Sequence, residues 1–97
     1  MPEFDAVIHQ PVRLQIMAAL ASLRPDDKAD FTYLRDLLKT TDGNLGAHLQ
    51  KLEETGYIAT EKAFVARKPR TFVVATDKGK AAFRDHVAAL RKILDVS

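Results

Sequence analysis

Three cationic side chains flank a single proline in the run Arg67-Lys68-Pro69-Arg70. Guanidinium and ammonium groups bind the phosphate oxygens of nucleic acids, and an arginine can also enter the minor groove of DNA. A short charge run is more often a solvated loop, but this one separates two segments rich in β-branched and aromatic residues. Because a proline between such segments favours a turn, the run indicates a hairpin with a basic tip suited to an anionic surface.

A second group of side chains suited to recognition lies between residues 42 and 52. Leucines recur there at helical spacing, at Leu45, Leu49 and Leu52. The opposite face of such a helix presents four small or hydrogen-bonding side chains: Asn44, Ala47, His48 and Lys51. Asparagine pairs with two atoms of adenine and alanine can touch a thymine methyl group, so this face suits the reading of base edges.

Two residues of this helix leave alternatives open. His48 could contact a phosphate or a base, or it could be half-packed under the hairpin. Gly46 costs about 1 kcal/mol in a helix interior, which indicates a close approach by a neighbouring helix or by a DNA backbone. The dipeptide Asp42-Gly43 would also suit a hairpin turn, but the helical spacing of the flanking leucines favours a helix.

The chain lacks the residue patterns of an enzyme or of a metal protein. It contains no cysteine, no glycine-rich phosphate loop and no nucleophile motif. The acidic pairs Asp26-Asp27 and Glu53-Glu54 are sequence neighbours, so their carboxylates point in different directions. His9, His48 and His86 are scattered; we interpret His9 as a turn or cap residue and His86 as an interface residue. The sequence therefore predicts no catalytic residue, no metal site and no cofactor.

Charge is distributed unevenly along the 97 residues. The net charge of +2 divides into −3 over residues 1–56 and +5 over residues 57–97, so an acidic first half masks a basic second half. An apolar fraction of 46% is that of a globular protein, and the length suits one domain over residues 1–97. The longest apolar run, at 16–21, is too short for a membrane span, and the acidic residues 1–5 lack a signal-peptide layout. We expect a cytoplasmic protein that binds no membrane.

Periodicity and capping signals predict the elements that would position these residues. Helices are expected at about residues 10–23 with Pro11 in the first turn, 33–39 with Thr32 as N-cap, 42–55 closed by Gly56, and 77–94 capped by Thr76 or Asp77. A very short strand is expected at 29–31. A hairpin is expected over 57–76, with strands at 57–66 and 71–76.

The order of these elements is that of a helix-turn-helix followed by a β-hairpin wing. The predicted fold is mainly α with a small β-hairpin, in the α+β class. In such a unit the second helix, here 42–55, enters the major groove of double-stranded DNA. The wing cations Arg67, Lys68 and Arg70 are then expected on phosphates, together with Lys51 and, more weakly, Arg35.

The chain resembles winged helix-turn-helix transcriptional regulators of the MarR/ArsR superfamily, and among them the short single-domain type. Three blocks carry the resemblance: residues 9–17, residues 41–58, and Pro69-Arg70-Thr71 with Thr76-Asp77-Lys78-Gly79. Together they span most of the chain. The resemblance implies DNA binding as a homodimer, usually at a pseudo-palindromic site and usually for repression.

Two departures from this superfamily limit what the resemblance implies. ArsR-type metal sensors typically bind metal through thiolates, which this chain lacks. MarR-type proteins are usually longer, with additional dimerisation helices around a ligand pocket, whereas only one C-terminal helix is predicted here. The identity of any small-molecule effector is therefore left open.

The last predicted helix indicates how a dimer would form. Its apolar stripe consists of Phe83, Val87, Leu90 and Leu94. A helix of about 18 residues is about 27 Å long and would overhang so small a core. We expect it to pack on its mate, with Val7, Ile8 and Met17 contributing. The alternative is a winged-helix module that binds a protein and not DNA, although such a module does not need the basic tip.

Overall fold

A computed structural model describes residues 4–95 of the chain. The elements follow in the order α1 (Pro11–Ala21), β1 (Ala29–Asp30), α2 (Phe31–Leu38), α3 (Asp42–Thr55), β2 (Ile58–Val65), β3 (Lys68–Ala75) and α4 (Asp77–Leu94). This arrangement confirms the predicted α+β class. The first three residues of the acidic segment 1–5 lie outside the described range.

Helix α2 begins earlier than the sequence predicts. Its N-cap is Asp30, whose carboxylate accepts a hydrogen bond from the Thr32 amide at 2.7 Å. The prediction of Thr32 as N-cap was wrong because Asp30 ends β1 in an extended conformation and is the first side chain placed to cap the helix. The helix ends at Leu38, because Lys39 adopts a left-handed conformation with φ of 51°.

Helix α3 has the predicted bounds. The Thr41 hydroxyl accepts a hydrogen bond from the Asn44 amide at 3.1 Å, and Gly56 ends the helix with φ of 85°. Asp42 and Gly43 form its first turn and not a hairpin. Only residues 39–41 separate α2 from α3, as a helix-turn-helix requires.

The hairpin turn differs from the predicted one. It consists of Ala66 and Arg67, both with positive φ (52° and 65°), as a two-residue hairpin loop favours. Lys68, Pro69 and Arg70 therefore belong to β3, and the prediction that residues 67–70 form the turn was wrong for all but Arg67. In the strand order β1-β3-β2, β1 pairs with β3 only at Val73 and Phe72, so one side of the strand is unpaired at Pro69.

One apolar core joins the three N-terminal helices to the sheet. Its fully buried members include Ile8, Ile16, Met17, Leu34, Leu45, Leu52 and Val73. Ile8 and Met17 are 0% exposed, so the expectation that they contribute to a dimer interface was wrong. Val7 is partly buried against the same core.

Helix α4 packs on this core through small residues. The Thr76 hydroxyl caps it by accepting from the Gly79 amide at 3.0 Å, and its buried residues are Gly79, His86 and Ala89. Nothing between residues 4 and 95 forms a helix with the length and apolarity that a membrane crossing needs.

Candidate nucleic-acid interface

Helix α3 presents a continuous solvent face opposite its buried leucines. Asn44, Ala47 and Lys51 are exposed, while Leu45 and Leu49 are buried in the core. The N-cap at Thr41 fixes the first turn, so Asn44 lies near the start of the helix. The structure therefore brings three of the predicted base-reading and phosphate-binding residues to one accessible surface.

His48 lies at the edge of this surface. It is half-buried, and its Nδ1 is 3.4 Å from Nη1 of Arg13 in α1. Burial lowers the pKa of His48, and the nearby Arg13 charge lowers it further. The side chain thus lies beside α1, and its contact with a phosphate or a base stays a prediction.

The glycines of α3 leave open space on the same helix. A Cβ atom built on Gly43 or Gly46 would meet no described atom within 4 Å. A neighbouring helix of the described chain therefore does not explain Gly46, and the approach of DNA stays a prediction. A missing side chain at this point lets a phosphate backbone come closer to the helix.

Arg35 is engaged within the helix-turn-helix. Its Nη1 donates to the Asp42 carboxylate at 2.8 Å, and its Nε donates to Asp36 at 3.2 Å. Asp42 stands in the first turn of α3, where a negative charge interacts favourably with the helix dipole. Arg35 therefore joins α2 to the start of α3, which reduces its capacity for the weak phosphate contact that we expected.

The cations of the wing fall into two groups. Arg67 in the turn and Lys68 beside it are exposed, and neither pairs with a carboxylate of residues 4–95. Arg70 is further from the tip, where its Nη1 lies 2.5 Å from the Asp30 carboxylate. This hydrogen bond is the main reason that the pKa of Asp30 lies below its ordinary value. The structure thus separates Arg70 from the two tip cations.

Sequence reasoning overlooked two residues of the wing. Lys62 and Phe64 in β2 are both exposed, and Phe64 is 80% exposed. Both lie in the predicted strand 57–66, to which the sequence pattern assigns no binding role. Their spacing could have identified them, because residues two apart on a strand share a face. This face of β2 continues from Thr60 towards the basic tip.

Helix α4 leaves its larger apolar side chains partly outside the core. Val87 and Leu90 are half-buried, Phe83 is packed partly on the core, and Leu94 is 79% exposed. His86 is 0% exposed and is not the interface residue that we expected. The apolar stripe predicted for dimer contact is therefore largely free of the chain's own core.

His86 belongs to a polar cluster beneath the N-terminal turn. The Asp5 amide donates to its Nδ1 at 3.1 Å, and its Nε2 lies 3.4 Å from His9 Nδ1. Because Nδ1 accepts, the neutral ring carries its proton on Nε2, facing His9. Burial lowers the pKa of His86, and His9 lowers it further. His9 itself is an exposed turn residue, as predicted.

Asp5 connects this cluster to the end of α3. Its carboxylate accepts hydrogen bonds from the Tyr57 hydroxyl and from the amides of Val7 and Ile8. Burial raises the pKa of Asp5, but these hydrogen bonds outweigh it and hold the pKa below its ordinary value. Burial and the hydrogen bond to Asp5 raise the pKa of Tyr57 to about 12. Tyr57 follows Gly56, so the cluster supports the junction between α3 and the wing.

Comparison with known proteins assigns the architecture. A family model described as a winged helix DNA-binding domain matches residues 12–94. The chain belongs to this family. Over 81 residues it is 37% identical to the uncharacterized protein MJ0432 of Methanocaldococcus jannaschii, across 84% of this chain and 85% of that protein.

Solved structures agree with this assignment. The transcriptional regulator homologue protein from Pyrococcus horikoshii OT3 has a TM-score of 0.81 at 36% identity, over 92% of this chain and 85% of that chain. The MepR–DNA complex of S. aureus has a TM-score of 0.67 at 15% identity, over 84% of this chain and 64% of that chain, and shows the fold alone. Family and fold are those of DNA-binding transcriptional regulators and not of enzymes. This confirms the predicted resemblance to winged-helix regulators and the prediction that the chain is not an enzyme.

Proposed function

We propose that this winged-helix protein is a homodimeric repressor that binds a pseudo-palindromic DNA site. The observation that carries the proposal is the exposed face of α3 beside a wing tip with unpaired cations. Asn44 and Ala47 would contact base edges in the major groove, and Lys51 would contact a phosphate. Arg67 and Lys68 would contact the backbone flanking the same half-site, while Arg70 contributes less because Asp30 neutralises it.

His48 and Gly46 support this arrangement in different ways. A neutral His48 beside Arg13 can orient that guanidinium at the edge of the recognition surface. Gly46 leaves space against the helix for a sugar–phosphate chain. Neither needs to read a base, so the sequence preference of each half-site would depend mainly on Asn44 and Ala47.

The dimer would form through the outer stripe of α4. Phe83, Val87, Leu90 and Leu94 lie outside the fully buried core, and a helix of 18 residues extends beyond the domain it packs on. Covering this stripe removes apolar surface from water at about 25 cal/mol per Å². A two-fold axis beside α4 would present two copies of α3 to the two half-sites of a palindrome, which lie one helical turn of DNA apart.

The direct test is selection of bound sequences from a pool of random DNA duplexes. We expect inverted half-sites about 10 base pairs apart, with affinity that falls steeply as salt is raised. The Asn44→Ala variant should relax the preference at one base position and keep most of its affinity for unrelated duplexes. A chain that no duplex retains would overturn the proposal and favour a protein-binding module.

Sedimentation at micromolar concentration tests the dimer separately. The wild-type chain of 10.8 kDa should sediment near twice its mass. The Leu90→Glu variant should sediment as a monomer and bind a single half-site weakly, whereas Asp85→Lys changes charge at an exposed control position on the same helix, away from the stripe. A wild-type monomer at this concentration would refute the dimer.

A further inference from the structure

The wing carries an aromatic ring that the fold itself does not use. Phe64 has the largest exposed fraction of the large apolar residues between 4 and 95, at 80%. Its cross-strand partner is Pro69, and neither residue belongs to the core that the described residues form. Removing this ring therefore should not unfold the domain, and the ring is free to contact a partner.

The alternation of β2 orients the ring towards the side of the recognition helix. Residues two apart on a strand share one face, so Ile58, Thr60 and Phe64 lie on the same face. Ile58 is buried in the core, and the Thr60 hydroxyl donates to Glu53 near the end of α3 at 2.7 Å. Phe64 continues this face beyond the core, on the side where α3 lies.

The ion pairs of the wing separate its charges along the hairpin. At the base, Glu61 pairs with Lys28, and Asp30 pairs with Arg70. Beyond that point no acidic residue occurs between positions 62 and 69, where the charged residues are Lys62, Arg67 and Lys68. Phe64 therefore lies in the end of the hairpin whose charged residues are all cationic, with Lys62 on its own face of the strand, so this end of the wing suits an anionic ligand.

The length of the wing fits the spacing of the DNA grooves. From Thr60, which is fixed to α3, the strand advances about 13 Å to Phe64 at about 3.3 Å per residue. Half a turn of B-form DNA is about 17 Å, which is the distance from one major groove to the next minor groove. A wing anchored at the end of α3 can therefore place its tip at the adjacent minor groove.

We propose that Phe64 is an apolar wedge that contacts or partly unstacks a base step in the minor groove, while Lys62, Arg67 and Lys68 bind the phosphates on either side. Apolar side chains inserted in this way kink DNA most easily at flexible pyrimidine–purine steps. The wing would thus add a sequence preference outside the bases that α3 reads. This inference rests on the proposed function.

The test compares three single variants on the duplex recovered most often by the selection. Phe64→Ala removes the wedge, Phe64→Leu retains an apolar one, and Val65→Ala removes a neighbouring side chain on the other face that is 43% exposed. Each adenine of the flanking minor groove is replaced in turn by 2-aminopurine, whose fluorescence rises when the base unstacks. Thermal unfolding of each variant confirms that it is folded.

We expect Phe64→Ala to lose about tenfold in affinity and to abolish the fluorescence rise at one step, with Phe64→Leu intermediate and Val65→Ala near wild type. Unchanged affinity and fluorescence for Phe64→Ala, with wild-type binding intact, would overturn the wedge but not the repressor. Failure of the wild-type chain to bind any duplex would overturn the proposed function itself. A change in the oligomeric state of Phe64→Ala without DNA would assign the ring to a protein contact and overturn the wedge.

Discussion

Two helical glycines in different surroundings should respond in opposite ways to the same substitution. Gly79 in α4 is buried, and a Cβ atom added there would stand 2.0 Å from the Tyr57 carbonyl oxygen and 2.8 Å from its carbonyl carbon. Gly46 in α3 has no described atom within 4 Å of the same position. Alanine at Gly79 therefore forces two backbone segments apart, whereas alanine at Gly46 fills open space.

The expected changes in unfolding free energy follow from these contacts. Tyr57 cannot easily move, since its amide donates to Leu52 at 2.9 Å and its carbonyl accepts from Thr76 at 3.0 Å. Overpacking costs about 1–3 kcal/mol and loss of one hydrogen bond about 1 kcal/mol, against about 1 kcal/mol gained in helix propensity. We expect Gly79→Ala to lose about 2 kcal/mol and Gly46→Ala to gain up to about 1 kcal/mol.

Thermal unfolding at one fixed protein concentration measures both variants. For a domain of this size 1 kcal/mol corresponds to about 4–8 °C, so Tm should fall by about 10 °C for Gly79→Ala and rise by about 5 °C for Gly46→Ala. The Gly46→Ala variant should also bind DNA less tightly than wild type, because its methyl group occupies the space left for the backbone. Equal or higher Tm for Gly79→Ala, or a lower Tm for Gly46→Ala, would refute the reasoning.

The remaining predictions concern the wing and the polar cluster. Arg67→Ala should flatten the dependence of log affinity on log salt by about one unit on every duplex. Arg70→Ala should change this slope less, because the Asp30 carboxylate already neutralises Arg70. Equal salt slopes for the two variants would contradict this assignment. Tyr57→Phe should cost about 1 kcal/mol in urea unfolding, because the Asp5 carboxylate loses a hydrogen bond. Since the folded pKa of His86 is lowered, its contribution to stability is complete above the ordinary value of 6.5 and declines as the pH falls from there through the folded pKa. His86→Asn should remove this decline in unfolding curves measured from pH 7.5 to 5, and a variant with the wild-type pH dependence would show that other groups cause it.

The recognition helix could be predicted almost completely from the sequence. Threonine before it, leucines at helical spacing and Gly56 after it are local signals, and the structure gives the same bounds, Asp42–Thr55. The wing turn could not be predicted in this way. Alanine and arginine are poor turn residues, yet Ala66 and Arg67 adopt positive φ because strand pairing sets the register of the hairpin. Pro69 is accommodated in a strand because β3 is unpaired on one side at that point.

The periodicity of α4 does not identify the face that packs on the domain. Large apolar residues such as Val87 and Leu90 mark a stripe in the sequence, but the helix packs on its own domain through Gly79, His86 and Ala89. The reason is a close approach: Gly79 lies against the Tyr57 backbone, where no side chain fits. A buried histidine at this position is acceptable because Asp5 and His9, which are distant in sequence, satisfy its ring nitrogens.

Local signals therefore determined the elements, their order and the exposed face of α3, because helix periodicity, caps and charge act over a few residues. The tertiary structure decided which of the predicted interface residues remain exposed for contact with a partner. It buried Ile8, Met17 and His86, paired Arg70 with Asp30, and left Phe64 exposed at the cationic end of the wing. The Arg70–Asp30 pair and the Asp5–His86 hydrogen bond join residues that are 40 and 81 positions apart, and no local pattern encodes such contacts.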